Sequence, residues 1–256
     1  MLFRSGGAIG ADFVAKAPPD GHTLLFNSMA FAAAASDPRL PFNTAKDFAP
    51  VASVGQSPSV LVVHPALPVK MVKDLIALAR ARPGQINYSS SGIATTNHLA
   101  AELFRLKARI DIVHVPYKGM APAITDLISG QVQMLITSFP SVGAQLQAGR
   151  VRAIATTSLT RSSFAPELPT VDESGLPGYD VTSRWGFFAP ATTPKVIVDR
   201  LNAEIRKLLL TADMKERLLK GGAEPFVTTP DEFRKLFLSE VEKWIALVRH
   251  AKIKLE

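Results

Sequence analysis

Asp111 to Ser141, DIVHVPYKGMAPAITDLISGQVQMLITSFPS, carries the unit whose reading decides the fold. Asp111 to Val115 reads as a strand, Pro116-Tyr117-Lys118-Gly119 as a loop, and Pro122 to Ile128 as a helix closed by Gly130. A second copy follows directly. Val132 to Thr137 is a strand, Ser138-Phe139-Pro140-Ser141 a loop, and Val142 to Ala148 a helix closed by Gly149. Val151 to Thr156 is the next strand. Upstream, Ile86-Asn87-Tyr88 runs into Ser89-Ser90-Ser91-Gly92, and a helix capped near Thr95 or Thr96 turns Leu99, Leu103 and Phe104 inward. Strand, polar loop and helix in that order, three times over, predict βαβ units and a largely parallel sheet, an α/β protein.

Further out the pattern is less regular. Ile9 to Lys16 reads as a short helix, and His22 to Asn27, after the Asp20-Gly21 turn, as a buried strand. Val60 to Val63 is another. Pro68 is expected to open a helix with Met71, Val72, Leu75, Ile76 and Ala79 on its apolar face, stopped by Pro83-Gly84. Residues 160 to 182 are an irregular connection, and Ser183 to Ala189 a strand. Three helices close the chain. The first is expected to use Thr193 as cap, Pro194 as its first residue and Ile197, Leu201, Ile205 and Leu208 as its buried stripe. The second covers about Asp213 to Lys220. The third has a capping box, Thr229 with Glu232, and buries Phe233, Phe237, Trp244 and Val248 as core.

Composition narrows the function. The 256 residues are 47% hydrophobic and 20% charged, which excludes a disordered chain. Zero cysteines exclude a disulfide scaffold, a thiolate metal site and a cysteine nucleophile. Lys+Arg 29 against Asp+Glu 22 leaves +7, which favours anionic partners. The basic residues are not interleaved with aromatics, so nucleic acid is not the expected anion. No apolar run reaches the ~20 residues of a membrane span, and the first residues show no signal peptide.

Ligands of open parallel sheets bind beyond the carboxyl ends of the strands. Three loops lie there: Ser89 to Thr96, Pro116 to Ala121, and Ser138 to Ser141. They are rich in hydroxyls, glycine and helix-starting residues and poor in acids, the chemistry of an anion site at helix N-termini. Lys118 is either a counter-charge for a bound carboxylate or a solvated lysine. A hydrolase built on Ser91 and His98 is the enzyme alternative, weakened by the lack of a G-x-S-x-G elbow and of an orienting acid. His22, His64, His114 and His250 lack metal-ligand spacing, and neither a Walker motif nor a dinucleotide fingerprint is present. No cofactor and no metal are expected.

Ordered phrases along the whole chain carry a resemblance. They are Gly6-Gly7-Ala8-Ile9-Gly10-Ala11, Ala17-Pro18-Pro19-Asp20-Gly21-His22-Thr23-Leu24-Leu25, and Lys46-Asp47-Phe48-Ala49-Pro50-Val51. Asn87 to Gly92, His98 to Phe104, His114-Val115-Pro116-Tyr117-Lys118-Gly119 and Gly186-Phe187-Phe188-Ala189-Pro190 follow. In these the chain resembles the extracytoplasmic solute receptors of the tripartite tricarboxylate transporters, the Bug family. The resemblance implies a type II periplasmic-binding-protein fold, two α/β lobes joined by crossing strands. Lobe 1 would comprise residues 1–66 plus 183–256, and lobe 2 residues 67–182. It also implies a monomeric periplasmic receptor that binds a small carboxylate and serves the membrane components of a transporter. Carried over, the ligand-binding positions are Ser28, Ser91, Gly92, Thr95, Thr96 and Ser138. Family members begin with a signal peptide and a strand–loop–helix unit that has no counterpart here, so the first lobe is expected to be incomplete. A degenerate or sensory binding protein is the alternative.

Overall fold

The computed structural model describes residues 8–36, 40–251 and 253. They group into two compact units, Met1–Ser57 with Ser183–Glu256, and Pro58–Thr182.

The second unit holds the repeated region. Its strands are the latter part of β2 (Phe48–Val63), then β3 (Asn87–Ser90), β4 (Val113–Pro116), β5 (Met134–Ser138) and β6 (Arg152–Thr156). Hydrogen bonding orders them β6-β2-β5-β3-β4. β3 pairs in parallel with β4 and β5, while β2 runs antiparallel to both β5 and β6. The four strands of the βα repeats thus share one direction, and the sheet is mixed only through β2. Residues 58–66 group with this unit because Ser59–Val63 pair there with β5 and β6.

Local sequence explains these elements. Val60 to Val63 are fully buried, as a strand covered on both faces requires. Val60, Val62 and Leu135 pack with Ile124 and Leu127 of α4 (Met120–Ile128) and Val142 of α5 (Phe139–Gln147). α3 (Thr96–Ala108) precedes β4 and buries Leu99, Leu103 and Phe104. α2 (Val72–Ala81) starts later than Pro68, because the Asp74 carboxylate accepts the Lys70 and Met71 N–H groups and sets the first turn there. Met71 is its N-cap residue and stays half exposed.

Thr157 pins the two places where the chain enters and leaves this unit. Its hydroxyl donates to the Val181 carbonyl at 2.6 Å and accepts the Ser59 N–H at 2.9 Å, all fully buried or nearly so. Removing it leaves a buried N–H and a buried C=O without partners. Thr157→Val should cost about 1–3 kcal/mol of stability, read as a lowered denaturant midpoint at unchanged slope.

In the first unit β1 (Leu25–Ser28) lies antiparallel to β7 (Thr182–Pro190), which neighbours the leading part of β2. A two-residue strand, β8 (Glu224–Pro225), pairs with β2 at Gly55 and Gln56. α1 (Ala8–Ala15), a 3-10 helix over Met29–Ser36, α6 (Lys195–Leu209), α7 (Ala212–Lys220) and α8 (Pro230–His250) complete the unit. α8 packs on the 3-10 helix, and Phe31, Phe42, Phe48, Phe188, Phe233 and Phe237 form a continuous aromatic core. Trp244 is buried, in keeping with its helical spacing to Phe237.

Several expectations shift here. Pro194 is the N-cap of α6 and not its first residue, since its carbonyl already accepts the Ile197 and Val198 N–H groups. The buried face of α6 is Val198, Asn202 and Leu209, whereas Leu208 is exposed. Asn202 sets this rotation, because its amide donates to the carbonyls of Val51 and Thr228. The 3-10 helix, β8 and the leading part of β2 carry no periodic signal and were not expected.

Gly186 on β7 has no room for a side chain. A Cβ there would meet the Phe233 ring and stand 2.7 Å from the Ala52 carbonyl oxygen. Gly186→Ala should therefore destabilise the protein by roughly 1–3 kcal/mol or more through overpacking, measurable by chemical denaturation.

Candidate functional site

β3, β4 and β5 are parallel neighbours and end at Ser90, Pro116 and Ser138 on one edge of the sheet. α3, α4 and α5 start from that same edge after connections of at most five residues. Ser138 is at once the last residue of β5 and the N-cap of α5. The three connections are hydrogen-bonded to one another. Tyr117 N–H donates to the Ser90 carbonyl at 3.1 Å, and Gly119 N–H to the Ser91 carbonyl at 3.3 Å. Asn97 Nδ2 donates to the Ile136 carbonyl at 2.9 Å and ties the start of α3 to β5.

The β3–α3 turn has an unusual backbone. Gly92 has φ +137° and Ala94 has φ +59°, a left-handed conformation that a non-glycine residue seldom adopts. Ala94 is held there by its N–H, which donates to His98 Nδ1 at 2.9 Å. Gly92 N–H donates to Ser90 Oγ at 3.2 Å, and Ser91 Oγ donates to Asn97 Oδ1 at 2.9 Å.

The helix starts on this edge differ from those elsewhere. α7 and α8 are capped by Thr211 and Thr229, whose hydroxyls accept first-turn N–H groups, and α2, α7 and α8 carry acids in their first turns. Thr95 is the N-cap of α3, yet its hydroxyl turns away to donate to the Gly92 carbonyl at 2.7 Å. This corrects the expectation that Thr95 or Thr96 caps the helix through its side chain. Ser138 pairs instead with Ser141 Oγ at 2.8 Å, and α4 starts at Gly119, which has no side chain to offer. None of α3, α4 and α5 has an acid in its first turn. In the first unit α6 also starts without a side-chain cap or a first-turn acid, and α1 without a first-turn acid. Three uncapped, acid-free helix starts on one edge leave the positive ends of three dipoles uncompensated and their first N–H groups available. Such an arrangement binds an anion through backbone donors.

Of the residues expected to bind ligand, Ser91, Gly92, Thr95, Thr96 and Ser138 all lie on this edge. Lys118 is exposed there, one residue before α4's N-cap. Ser28 belongs to the first unit, at the carboxyl end of β1, where its N–H donates to Asn27 Oδ1 at 2.8 Å. The hydrolase alternative finds no geometry here, since the Ser91 hydroxyl is bonded to Asn97 and His98 Nδ1 to Ala94. Sequence reasoning missed Asn97 and the left-handed Ala94. A polar residue inside a helix start and an alanine in a turn carry no spacing signal. Among the described residues no group of three or more His, Asp or Glu side chains could hold a metal ion.

Gly92 is the position in this turn that needs glycine. Gly92→Ala should cost about 1–3 kcal/mol through backbone strain and loosen the turn, seen as a lower melting temperature and faster exchange of the Gly92–Thr96 amides.

The chain as a whole has known relatives. A family profile described as tripartite tricarboxylate transporter family receptor matches residues 4–253. The protein BugT of Bordetella pertussis is 36% identical over 256 residues, 98% of this chain and 78% of that protein. A solved structure described as R. palustris Rpa4515 with adipate is 35% identical, with TM-score 0.77, covering 96% of this chain and 83% of that one. MatC (Rpa3494) from Rhodopseudomonas palustris with bound malate is 30% identical, with TM-score 0.71, covering 95% and 85%.

Proposed function

Because the chain belongs to the tripartite tricarboxylate transporter receptor family, we propose that it is a periplasmic receptor that captures a small carboxylate on the β3–β5 edge for the membrane components of such a transporter. The family is one of solute receptors and not of enzymes. The observation that carries the reading is the set of three uncapped helix starts, without acids, joined on one edge. Two similar proteins were solved with adipate and with malate, both dicarboxylates.

In this reading each residue has a role. The first-turn N–H groups of Thr96 and Asn97 in α3, and those of Met120 and Phe139 at the starts of α4 and α5, are the donors to a carboxylate. The hydroxyls of Thr96 and Ser138 add to them, while those of Thr95 and Ser91 stay committed to the Gly92 carbonyl and to Asn97 Oδ1, so that Ser91 acts by shaping the turn. Gly92 lets the backbone approach the ligand. Lys118 meets the second carboxylate of a dicarboxylate. The protein acts as a monomer, and the two compact units are the lobes of a binding-protein fold.

Calorimetry against adipate, malate and a matched monocarboxylate tests this. At least one carboxylate should bind. Lys118→Met should weaken the dicarboxylate roughly ten- to hundredfold and leave the monocarboxylate nearly unchanged, since a hydrogen bond to a charged group contributes about 1.5–3 kcal/mol. An absence of binding to every carboxylate tried, with the protein folded, would count against the receptor reading. Equal losses for both ligand classes would remove Lys118 from the role of second-carboxylate contact.

A further inference from the structure

Directly behind the β3–α3 turn lies a polar stack that the proposed binding does not use, with Tyr88 and His98 buried and His114 half-buried. The imidazoles of His98, on α3, and His114, on β4, face each other with ring centroids 3.9 Å apart and planes within 8°. Tyr88, on β3, stacks on His114 at 4.9 Å. Each histidine holds one part of the turn. His98 Nδ1 accepts the Ala94 N–H, and His114 Nε2 lies 2.6 Å from Ser90 Oγ, which in turn accepts the Gly92 N–H. Both residues with left-handed or extreme φ, Ala94 and Gly92, are therefore anchored through an imidazole.

The geometry sets the charge state. Nδ1 of His98 is an acceptor only while it carries no proton, so the Ala94 bond exists only with a neutral ring. Two imidazolium ions face to face at this distance would repel in a poorly hydrated site. The groups around the pair are few. Tyr88 donates its hydroxyl to Glu102 at 2.6 Å, and Glu102 is bonded to Arg105 at 2.8 Å, with Asp111 near that guanidinium. β5 brings no titratable side chain, and Asp126 of α4 is engaged by the Tyr117 hydroxyl. Glu102 favours a cation on the pair, but its charge is already met by Arg105.

We infer that His98 and His114 are positioning residues for the anion edge: the neutral stacked pair holds the Gly92–Thr95 turn in shape, and proton uptake by the pair releases it. The consequence for ligand binding rests on the carboxylate reading; the control of the turn does not.

The pH window follows from burial. Burial pushes His98 below its ordinary 6.5, and burial together with the His98 ring pulls His114 down to about 4. The unfolded chain takes up these protons before the folded one does. Stability is thus full above about 6.5 and falls as the pH drops toward about 4, whereas the turn in the folded protein loosens only at the acidic end of that window, where the pair itself takes up a proton. The stacked rings titrate as a pair, the first proton opposing the second.

The test uses the full chain without ligand. Imidazole nitrogen spectra and amide exchange at Ala94, Thr95 and Thr96 are followed from about pH 7.5 to about pH 4. At neutral pH His98 Nδ1 should appear unprotonated, and the protection of the Ala94 amide, its exchange rate taken relative to the intrinsic rate at each pH, should fall at least tenfold along the titration of the pair. His98→Asn keeps an acceptor oxygen near the Nδ1 position without a titrating ring. It should retain Ala94 protection and lose its pH dependence, whereas His98→Leu should lose protection at every pH. Should a variant fail to fold, the wild-type titration alone decides. An Ala94 amide whose exchange ignores the histidine titration, or an Asn variant as unprotected as the Leu one, overturns the inference. Adipate and malate affinities, taken relative to those of His98→Asn at the same pH so that protonation of the ligand carboxyls cancels, should fall on acidification in step with the loss of Ala94 protection. If neither ligand binds at any pH, that failure strikes the carboxylate reading and leaves the exchange result to judge the histidines.

Discussion

A helix cannot satisfy its own first N–H groups, and in this chain that constraint is concentrated at one place. Three parallel strands stop side by side, and each is followed almost at once by a helix. The short connections leave no length of chain to fold back over the helix starts. Elsewhere the chain meets the same obligation with its own side chains, as Thr229 and Glu232 do for α8. On the β3–β5 edge the available hydroxyls are turned to other partners, Thr95 to Gly92 and Ser138 to Ser141. Unsatisfied donors at three helix ends and a positive local field are what a carboxylate would complete.

The net charge of +7 contributes less to this than its size suggests. Four of the 29 cations are held in exposed helical pairs, Lys16 with Asp12, Lys195 with Asp199, Arg217 with Asp213 and Lys220 with Glu216. Pairs of this kind are worth little in stability and project little field beyond a Debye length. In the proposed reading, attraction for an anion at close range comes instead from backbone dipoles, whose sign is set by helix direction and not by composition.

The α/β class and the order of the βα repeats were legible because three consecutive units each joined a strand-sized apolar run to a capped helical pattern. The edge was legible for the same reason, since parallel strands place their loops together whatever the side chains. The details inside the loops were not. Thr95 occupies the N-cap position, yet the direction of its hydroxyl depends on a carbonyl that only the Gly92 backbone angle brings near. His98 and His114 lie sixteen positions apart on different elements, and only the pairing of β3 with β4 brings His114 beside the turn. Asn202 shows the converse case. A polar residue took the buried face of α6 because two backbone carbonyls needed a donor, and a hydrophobicity pattern has no means of registering that need.

Recognition through backbone N–H groups has a consequence for specificity. Peptide donors report negative charge and its distance from the helix ends, and they are nearly indifferent to the rest of a ligand. Discrimination between one carboxylate and another must then come from the few side chains that vary in reach or charge around the edge, with Lys118 the single exposed cation in the three connections. Two proteins of similar fold were solved with ligands as unlike in length as adipate and malate. In the proposed reading the architecture sets that an anion is bound, and the identity of the anion lies in a small number of substitutable contacts. That division is why the chain's family is plain from its sequence while its ligand is not.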